Sequence, residues 1–257
     1  MSIVDYRETV WSDIFPGNQH TVHRLEPAVF EAESALELSA QQRKRTVWRL
    51  DGGAGSDQHI RWLIAQGYQV VAKGMSHSRA KALAKRVTRW DRYLGVELGE
   101  VEPPVDYGRQ VRVFVKRVPK NDDFIHSYYV VTISLASKGL FMASYDQRGA
   151  AEVEQFRGDK SGLGLEARRK RSFLGQKGYI LLTDLAHNLL SGFYHQALRG
   201  SRFETYGPKR IIRDLLSMPG KFVFEQGSLV RVELLTQKQY SQDLATCLKT
   251  FVSGRKS

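Results

Sequence analysis

Tyr145, Arg148 and Glu152 are the side chains of this sequence whose types and spacing best suit chemistry on a phosphodiester. In a helix of about 3.6 residues per turn, offsets of three, four and seven residues return to one face, so the three would share a stripe. Carboxylate oxygens are ligands for Mg²⁺, and a guanidinium can grip a phosphate through paired donors. The same spacing occurs on solvated helix faces, where Arg and Glu form a modest ion pair. The stripe therefore leaves a phosphodiester site and a surface ion pair as alternatives.

Asp51 is a further candidate, because it stands where a predicted strand ends. Residues 45–50 include Thr, Val and Trp and run into Asp51 and two glycines, which is typical of a strand followed by a tight turn. Ser56 or Asp57 can cap a following helix, and residues 68–72 have the composition of the next strand. This order predicts two parallel strands covered by the helix, as in α/β proteins. Asp51 then lies at the edge where such sheets bind ligands.

The remaining segments predict a β-rich middle and a helical end. Mostly antiparallel strands are predicted from alternation at 111–115, from β-branched and aromatic residues at 127–135 and from an apolar run at 140–144. Helices are predicted over residues 25–38, 77–87, 166–192, 210–218 and 239–251, with a hairpin around 225–227.

Composition favours an anionic partner and a reducing compartment. The 257 residues carry 39 Lys and Arg against 27 Asp and Glu, a formal charge of +12, which favours nucleic acid. The single cysteine, Cys247, excludes an internal disulfide and a cysteine-rich zinc site. The amino terminus lacks the apolar core of a secretory signal, and no apolar run reaches about 20 uninterrupted residues. We therefore expect a cytoplasmic protein without a membrane partner.

Two basic clusters are candidate contacts with DNA. The helix predicted at 77–87 and the residues up to Tyr93 mix cations with aromatic side chains, which suits either a DNA path or a solvated helix beside a buried Trp. The second cluster stands near the start of the helix predicted at 166–192, where cations oppose the helix dipole and a bound phosphate would relieve that cost. Its members are Arg168, Arg169, Lys170 and Arg171.

Taken together, these motifs resemble the DDE transposases of bacterial insertion sequences. The resemblance is carried by the segment 49–55 around Asp51, by the Tyr145, Arg148 and Glu152 spacing, and by the β-rich interval between them. Residues 162–173 and 182–188 look like the helical region after the Glu in that family, and residues 15–18 look like a loop between its first two carboxylates.

The resemblance implies a ribonuclease H-like α/β fold, a mixed sheet with flanking helices. Residues 1–100 would be a partial core carrying Asp51, residues 101–144 a β-rich insertion between the catalytic Asp and Glu, and residues 145–257 a helical carboxyl-terminal remainder carrying Glu152.

The resemblance also implies phosphoryl transfer on DNA. Asp51 and Glu152 would be catalytic and would hold Mg²⁺ or Mn²⁺. The residues expected to contact DNA are Tyr145, Arg148, Lys160, Arg168, Arg169, Lys170 and Arg171. The expected partners are DNA, as transposon ends and target, and either a second copy of the chain or an upstream transposase fragment.

The sequence departs from the family pattern at two places. The family has a catalytic Asp on the first core strand, upstream of the region that residues 15–18 resemble, and no residue here takes that place with clarity. Asp159 stands where the family has Lys, with Lys160 one position later, and Glu154 competes with Glu152 as the catalytic Glu. We therefore expect an amino-terminally truncated fragment that is inactive alone. The alternatives are a non-catalytic DNA-binding protein derived from a transposase and a basic α/β protein of unrelated purpose.

Overall fold

A computed structural model describes residues 2–3, 8–16, 21–121, 123–134, 137–148, 154–167 and 170–253. The chain divides into two compact units, Phe15–Gly149 and a unit that combines Met1–Ile14 with Ala150–Ser257. The strands of the predicted insertion at 101–144 therefore group with the residues that precede them.

The strands are β1 Ser2–Ile3, β2 Glu8–Thr9, β3 Val47–Leu50, β4 Gln69–Lys73, β5 Asp91–Tyr93, β6 Val96–Val101, β7 Arg112–Lys120, β8 Asp123–Val131, β9 Gly220–Glu225 and β10 Ser228–Leu234. The α-helices are α1 Leu25–Ala35, α2 Ala40–Arg43, α3 Asp57–Ala65, α4 His77–Ala84, α5 Lys138–Arg148, α6 Glu154–Gly162, α7 Phe173–Phe193, α8 Pro208–Arg210 and α9 Ser241–Ser253. Helix α7 continues as a π-helical turn over Tyr194–Leu198, and α8 continues as one over Ile211–Leu216.

The unit of residues 15–149 is built on a six-stranded mixed sheet with the order β3-β4-β8-β7-β6-β5. Only β3 and β4 are parallel, with Leu50 opposite Ala72, and the other neighbours are antiparallel. The predicted parallel pair with an intervening helix is therefore confirmed, and so is an α/β architecture with helices beside the sheet.

Local sequence signals place the helix between the parallel strands. The Ser56 side chain accepts a hydrogen bond from the His59 amide at 3.2 Å, which satisfies one free donor at the start of α3. Ile60 and Leu63 are fully buried on one face of α3. The helix ends before Gly67, whose φ of 91° lies in the left-handed region that glycine adopts readily.

Residues 140–144, predicted as a strand, are part of helix α5, so that prediction is wrong. Phe141 and Tyr145, one helical turn apart, both pack on Tyr129 of β8, with ring centroids 5.1 and 4.8 Å from its centroid. Phe141 also stacks on Phe114 of β7 at 4.6 Å. A short apolar run fits a strand and a buried helix equally well, and packing against a completed sheet selects the helix here.

The other unit is mainly helical. Its core contains Phe193, Leu198, Phe203, Leu215 and Leu244, all buried. The helix predicted at 166–192 begins only at Phe173, where the Ser172 hydroxyl accepts from the Gly175 amide at 3.0 Å. The hairpin predicted around residues 225–227 is confirmed as β9 and β10. Within the residues that the structure describes, every helix is too short or too polar to cross a bilayer.

Candidate functional site

Asp51 lies directly after β3, at the carboxyl edge of the parallel pair, and its side chain is exposed. Its Oδ1 accepts a hydrogen bond from the Gly53 amide at 2.9 Å, which forms a tight Asx turn. The turn holds the carboxylate at the sheet edge while it remains open to solvent. This is the position that the sequence predicted for it.

The loop after Asp51 is pressed against the end of β4. A Cβ atom on Gly55 would lie 1.8 Å from the carbonyl oxygen of Lys73, so this approach requires glycine. Because Leu50 is opposite Ala72, the next residues of the two strands, Asp51 and Lys73, lie side by side at the edge. No ion pair between Asp51 and Lys73 is present among the described contacts. The edge therefore carries an acidic and a basic residue at neighbouring strand ends.

A second carboxylate near this edge, Asp57, is fully engaged by neighbours. It accepts a hydrogen bond from the Tyr107 hydroxyl at 2.9 Å and forms an ion pair with Arg79. Burial, followed by the hydrogen bond to Asp57, raises the pKa of Tyr107 well above its usual value. The Tyr128 hydroxyl lies 3.4 Å from Arg79 Nη1. Asp57 thus ties α3, α4, β8 and the loop at 102–111 together, a role that suits structure better than metal binding.

The described residues do not complete a metal site. They include no group of three His, Cys, Asp or Glu side chains close enough to hold an ion. Asp51 offers an exposed hard oxygen of the type that Mg²⁺ and Mn²⁺ accept, but one carboxylate is too few for a two-ion site. Glu152 lies outside the described residues, and for Glu154 only the helical backbone is described.

The structure describes only part of the predicted stripe of Tyr145, Arg148 and Glu152. Helix α5 ends at Arg148, whose side chain is not described, and residues 149–153 are outside the described ranges. Tyr145 is 7% exposed and packs into the core of the sheet unit. Most of its side chain therefore serves packing, and its contact with DNA stays a prediction.

Asp159, which stands at the position where the resemblance expects Lys, is a buried partner of His187. Asp159 Oδ1 and His187 Nδ1 are 2.7 Å apart, and the residues are 6% and 5% exposed. The pair joins α6 to α7. The next residue, Lys160, is exposed, with Nζ 4.8 Å from the centroid of the Phe156 ring. The Lys160 side chain is thus accessible to solvent or a ligand, whereas the Asp159 side chain is buried.

The basic cluster at 168–171 is described only in its second half. Arg168 and Arg169 lie outside the described residues. Lys170 and Arg171 are exposed just before α7, and Lys170 Nζ lies 5.5 Å from the Tyr179 ring centroid. Their exposure is compatible with the predicted contact to an anion, which stays a prediction.

Some cations of the basic segment around α4 are paired with carboxylates, and others are exposed without a described ion pair. Arg79 is tied to Asp57, Arg89 pairs with Asp91 at 3.1 Å, and Arg92 lies 3.7 Å from Glu97. The side chains that remain exposed without a described ion pair are Lys81, Lys85 and Arg86. This part of the surface is therefore less positive than the sequence suggested.

The sequence did not predict the two polar clusters around Asp57 and around His187. Asp57 was considered only as a helix cap, and its pairing with Tyr107 spans 50 positions. The pairing of His187 with Asp159 spans 28 positions and was not predicted. No local sequence pattern predicts such pairs, because each pair joins two elements that are distant in sequence and come into contact only in the folded protein.

Comparisons with known proteins leave the family open. The sequence matches no protein-family profile, and no curated protein matches it.

Proposed function

We propose that this chain is a catalytic-domain fragment of a DDE-type transposase with a ribonuclease H-like core, which takes part in metal-dependent DNA strand cleavage and strand transfer. The observation that carries the proposal is the position of Asp51, exposed in a tight turn at the carboxyl end of a parallel strand pair. Ligands bind at that end of open α/β sheets.

The charge distribution around Asp51 also supports a phosphodiester substrate. Lys73 lies next to Asp51 at the end of the neighbouring strand, and the chain as a whole carries a formal charge of +12. An ammonium group beside a carboxylate can attract a phosphate while the carboxylate serves a metal ion. The Asx turn and the Gly55 contact hold the Asp51 loop in place, which a catalytic ligand requires.

In this proposal Asp51 and Glu152 are two of the carboxylate ligands for Mg²⁺ or Mn²⁺, and no residue of this chain is assigned as the third. We expect the chain alone to be inactive, because three carboxylates hold the ions in the family that it resembles. An upstream transposase fragment or a second copy of the chain is the proposed partner that completes the site.

The proposal is tested by Mn²⁺ binding to the full chain, measured by electron paramagnetic resonance of the free ion. We expect weak binding that Asp51→Asn and Glu152→Gln each reduce by about tenfold, since each removes one carboxylate ligand. Asp243→Asn is the matched control, because Asp243 is an exposed carboxylate paired with Arg202 at 2.9 Å. Equal binding by Asp51→Asn and the control would contradict the proposal.

A nicking assay on supercoiled plasmid with Mg²⁺ or Mn²⁺ tests the expected inactivity. No nicking is the expected result for the chain alone. Strong nicking that Asp51→Ala abolishes would show that a residue of this chain supplies the third ligand.

The second candidate is a non-catalytic DNA-binding protein derived from a transposase. Lys81, Lys85 and Arg86 favour it, because they are exposed on and after α4 without a described ion pair. In this case Asp51→Ala and Glu152→Ala leave the affinity for duplex DNA unchanged, and Mn²⁺ binding does not depend on either carboxylate.

A further inference from the structure

A cleft of about 550 Å³ opens within the unit that combines residues 1–14 and 150–257. Its walls come from α6, the second half of α7 and the segment 204–211. Its lining residues belong to this unit, whereas Asp51 belongs to the other unit. None of the motifs that suggested a transposase includes the residues of segment 204–211.

Two glycines bring α8 against α6. A Cβ atom on Gly158 would lie 3.3 Å from Pro208 Cγ, and one on Gly162 would lie 2.9 Å from the Lys209 amide nitrogen. Gly158 and Gly162 are one helical turn apart, so they form a smooth face on which the start of α8 rests. This close packing places Lys209 and its neighbour Arg210 on the wall opposite α6.

One residue of the lining, His187, belongs to a buried polar pair behind the cleft wall. His187 lines the cleft, and its Nδ1 is 2.7 Å from Asp159 Oδ1 on α6. Both residues are more than nine-tenths buried. The pair fixes α6 relative to α7, so the cleft keeps its shape without a ligand, which lowers the cost of binding.

The cleft is positively charged. Its lining includes the three cations Arg157, Lys209 and Arg210, and Glu204 is the only carboxylate among the described residues that line it. Lys209 is exposed and has no ion pair among the described contacts. An excess of positive charge in a concave site attracts anions more strongly than the same charges on a flat surface.

The Tyr206 ring orients the guanidinium group of Arg210. Its guanidinium carbon lies 3.5 Å from the centroid of the Tyr206 ring, which fixes the plane of the group. Asp214 is 3.6 Å from Arg210 Nε, while both Asp214 oxygens accept from Arg213 at 2.6 and 3.0 Å. Arg210 and Asp214 therefore form an i,i+4 ion pair through the Arg210 Nε. This described contact involves Nε alone, so the two terminal Nη groups are the donors that Arg210 can offer to a ligand.

We propose that this cleft binds a phosphate group through Lys209 and Arg210. A planar guanidinium with available donors can bind two phosphate oxygens at once, and a neighbouring ammonium adds a point charge. The phosphate can belong to the backbone of DNA or to a small phosphorylated compound. The site does not depend on Asp51, on a metal ion or on the proposed transposase activity.

The test compares two double variants of the full chain. Lys209→Gln with Arg210→Gln removes both cleft cations, and Arg202→Gln with Lys238→Gln removes two exposed charges elsewhere in the same unit. Inorganic pyrophosphate binding is measured by calorimetry, and binding of a fluorescent duplex DNA of about 20 base pairs by anisotropy. We expect the cleft variant to bind pyrophosphate about tenfold more weakly and the control to stay within about twofold.

The DNA measurement separates the two sources of phosphate. A matching loss of DNA affinity in the cleft variant identifies the DNA backbone as the ligand, and unchanged DNA affinity identifies a small phosphorylated compound. Equal behaviour of the cleft and control variants towards both probes overturns the proposal. If the double variant does not fold, Arg210→Lys replaces it, because it keeps the charge but loses the paired donors and is expected to weaken pyrophosphate binding.

A failure of the transposase proposal gives a different result. In that case Mn²⁺ binding does not depend on Asp51, while the cleft variant still binds pyrophosphate more weakly than the unsubstituted chain. Glu204→Gln provides a further check, because removing the carboxylate of the lining is expected to strengthen pyrophosphate binding.

Discussion

Residues of the same type can have different roles in the structure, and the neighbouring side chains determine the role of each. Asp51 and Asp57 both flank the loop between β3 and α3, yet Asp51 is exposed and Asp57 is held by Tyr107 and Arg79. A carboxylate that already has an arginine and a phenol as partners has little capacity left for a metal ion. Of these two carboxylates, Asp51 is therefore the candidate ligand.

Gly55 provides a test of the backbone geometry that supports Asp51. We expect Gly55→Ala to lower the free energy of unfolding by about 2 kcal/mol or more, because its Cβ would meet a backbone oxygen that cannot move aside. Gly52→Ala is the matched control and is expected to be nearly neutral, since its Cβ would lie 3.8 Å from the flexible Lys73 side chain. Urea unfolding of both variants measures the difference, and equal stability would contradict this geometry.

Asp184 and Glu100 should affect stability in opposite directions as pH changes. Burial raises the pKa of Asp184, whereas a hydrogen bond from Arg112 lowers the pKa of Glu100. The raised pKa means that the folded state binds the proton more tightly, so Asp184 costs stability at pH values above its unfolded pKa of about 3.9. The lowered pKa means that Glu100 adds stability above its unfolded pKa of about 4.3, which is lost as pH falls through the folded pKa.

The measurement is the melting temperature from pH 3 to pH 8 for Asp184→Asn and Glu100→Gln. We expect Asp184→Asn to raise the melting temperature at pH 7 and Glu100→Gln to lower it. Both differences should shrink towards pH 3, where the native carboxyl groups become protonated. The same sign for both variants at pH 7 would show that the assigned environments are wrong.

At the scale of elements, the strength of a local signal determined how well each element could be predicted. The strand, turn and capped helix at 45–67 carry glycines, a capping serine and helical spacing of apolar residues, and each appears as predicted. Residues 140–144 carry only apolar character, which is why the strand prediction was wrong there. Helix α7 starts later than predicted because Ser172 caps it, and residues 165–167 form a turn.

The hairpin of β9 and β10 offers a prediction at this scale. Both central residues of its turn have positive φ, 51° at Gln226 and 79° at Gly227, which is the pattern of a type I′ turn. We expect Gln226→Asn to stabilise the protein by about 0.5 kcal/mol, because Asn tolerates the left-handed region better than Gln. Gln226→Val is the comparison and should destabilise it, since a β-branched residue is strained there. Thermal unfolding checks the order of the three proteins.

At the scale of the whole molecule, the net charge is less informative than its distribution. The chain carries a formal charge of +12, but many arginines are neutralised locally, including Arg79 by Asp57 and Arg112 by Glu100. Exposed cations without a described ion pair include Lys81, Lys85 and Arg86 on and after α4, Lys170 and Arg171 before α7, and Lys209 in the cleft. We expect DNA to bind on such surfaces.

Salt dependence of DNA binding tests this distribution. The logarithm of the affinity for duplex DNA should fall linearly with the logarithm of the salt concentration, because each phosphate contact releases counterions. We expect Lys81→Gln with Lys85→Gln to reduce the slope by about 2, which is about 1 for each lost contact. Arg89→Gln is the control and should change it little, because Arg89 already pairs with Asp91. An unchanged slope in the double variant would exclude α4 from the DNA surface.

The sequence by itself determined the parallel strand pair, the turn that exposes Asp51 and the hairpin at 225–227, because each depends on neighbours along the chain. Only the tertiary structure decided that Tyr145 packs into a core, that Asp159 pairs with His187, and that Asp57 joins Tyr107 and Arg79. The same holds for the cleft beside Lys209 and Arg210, which exists because two glycines let distant helices meet. Burial and long-range pairing depend on which surfaces come together, and that information is spread over the whole chain rather than held in any local pattern.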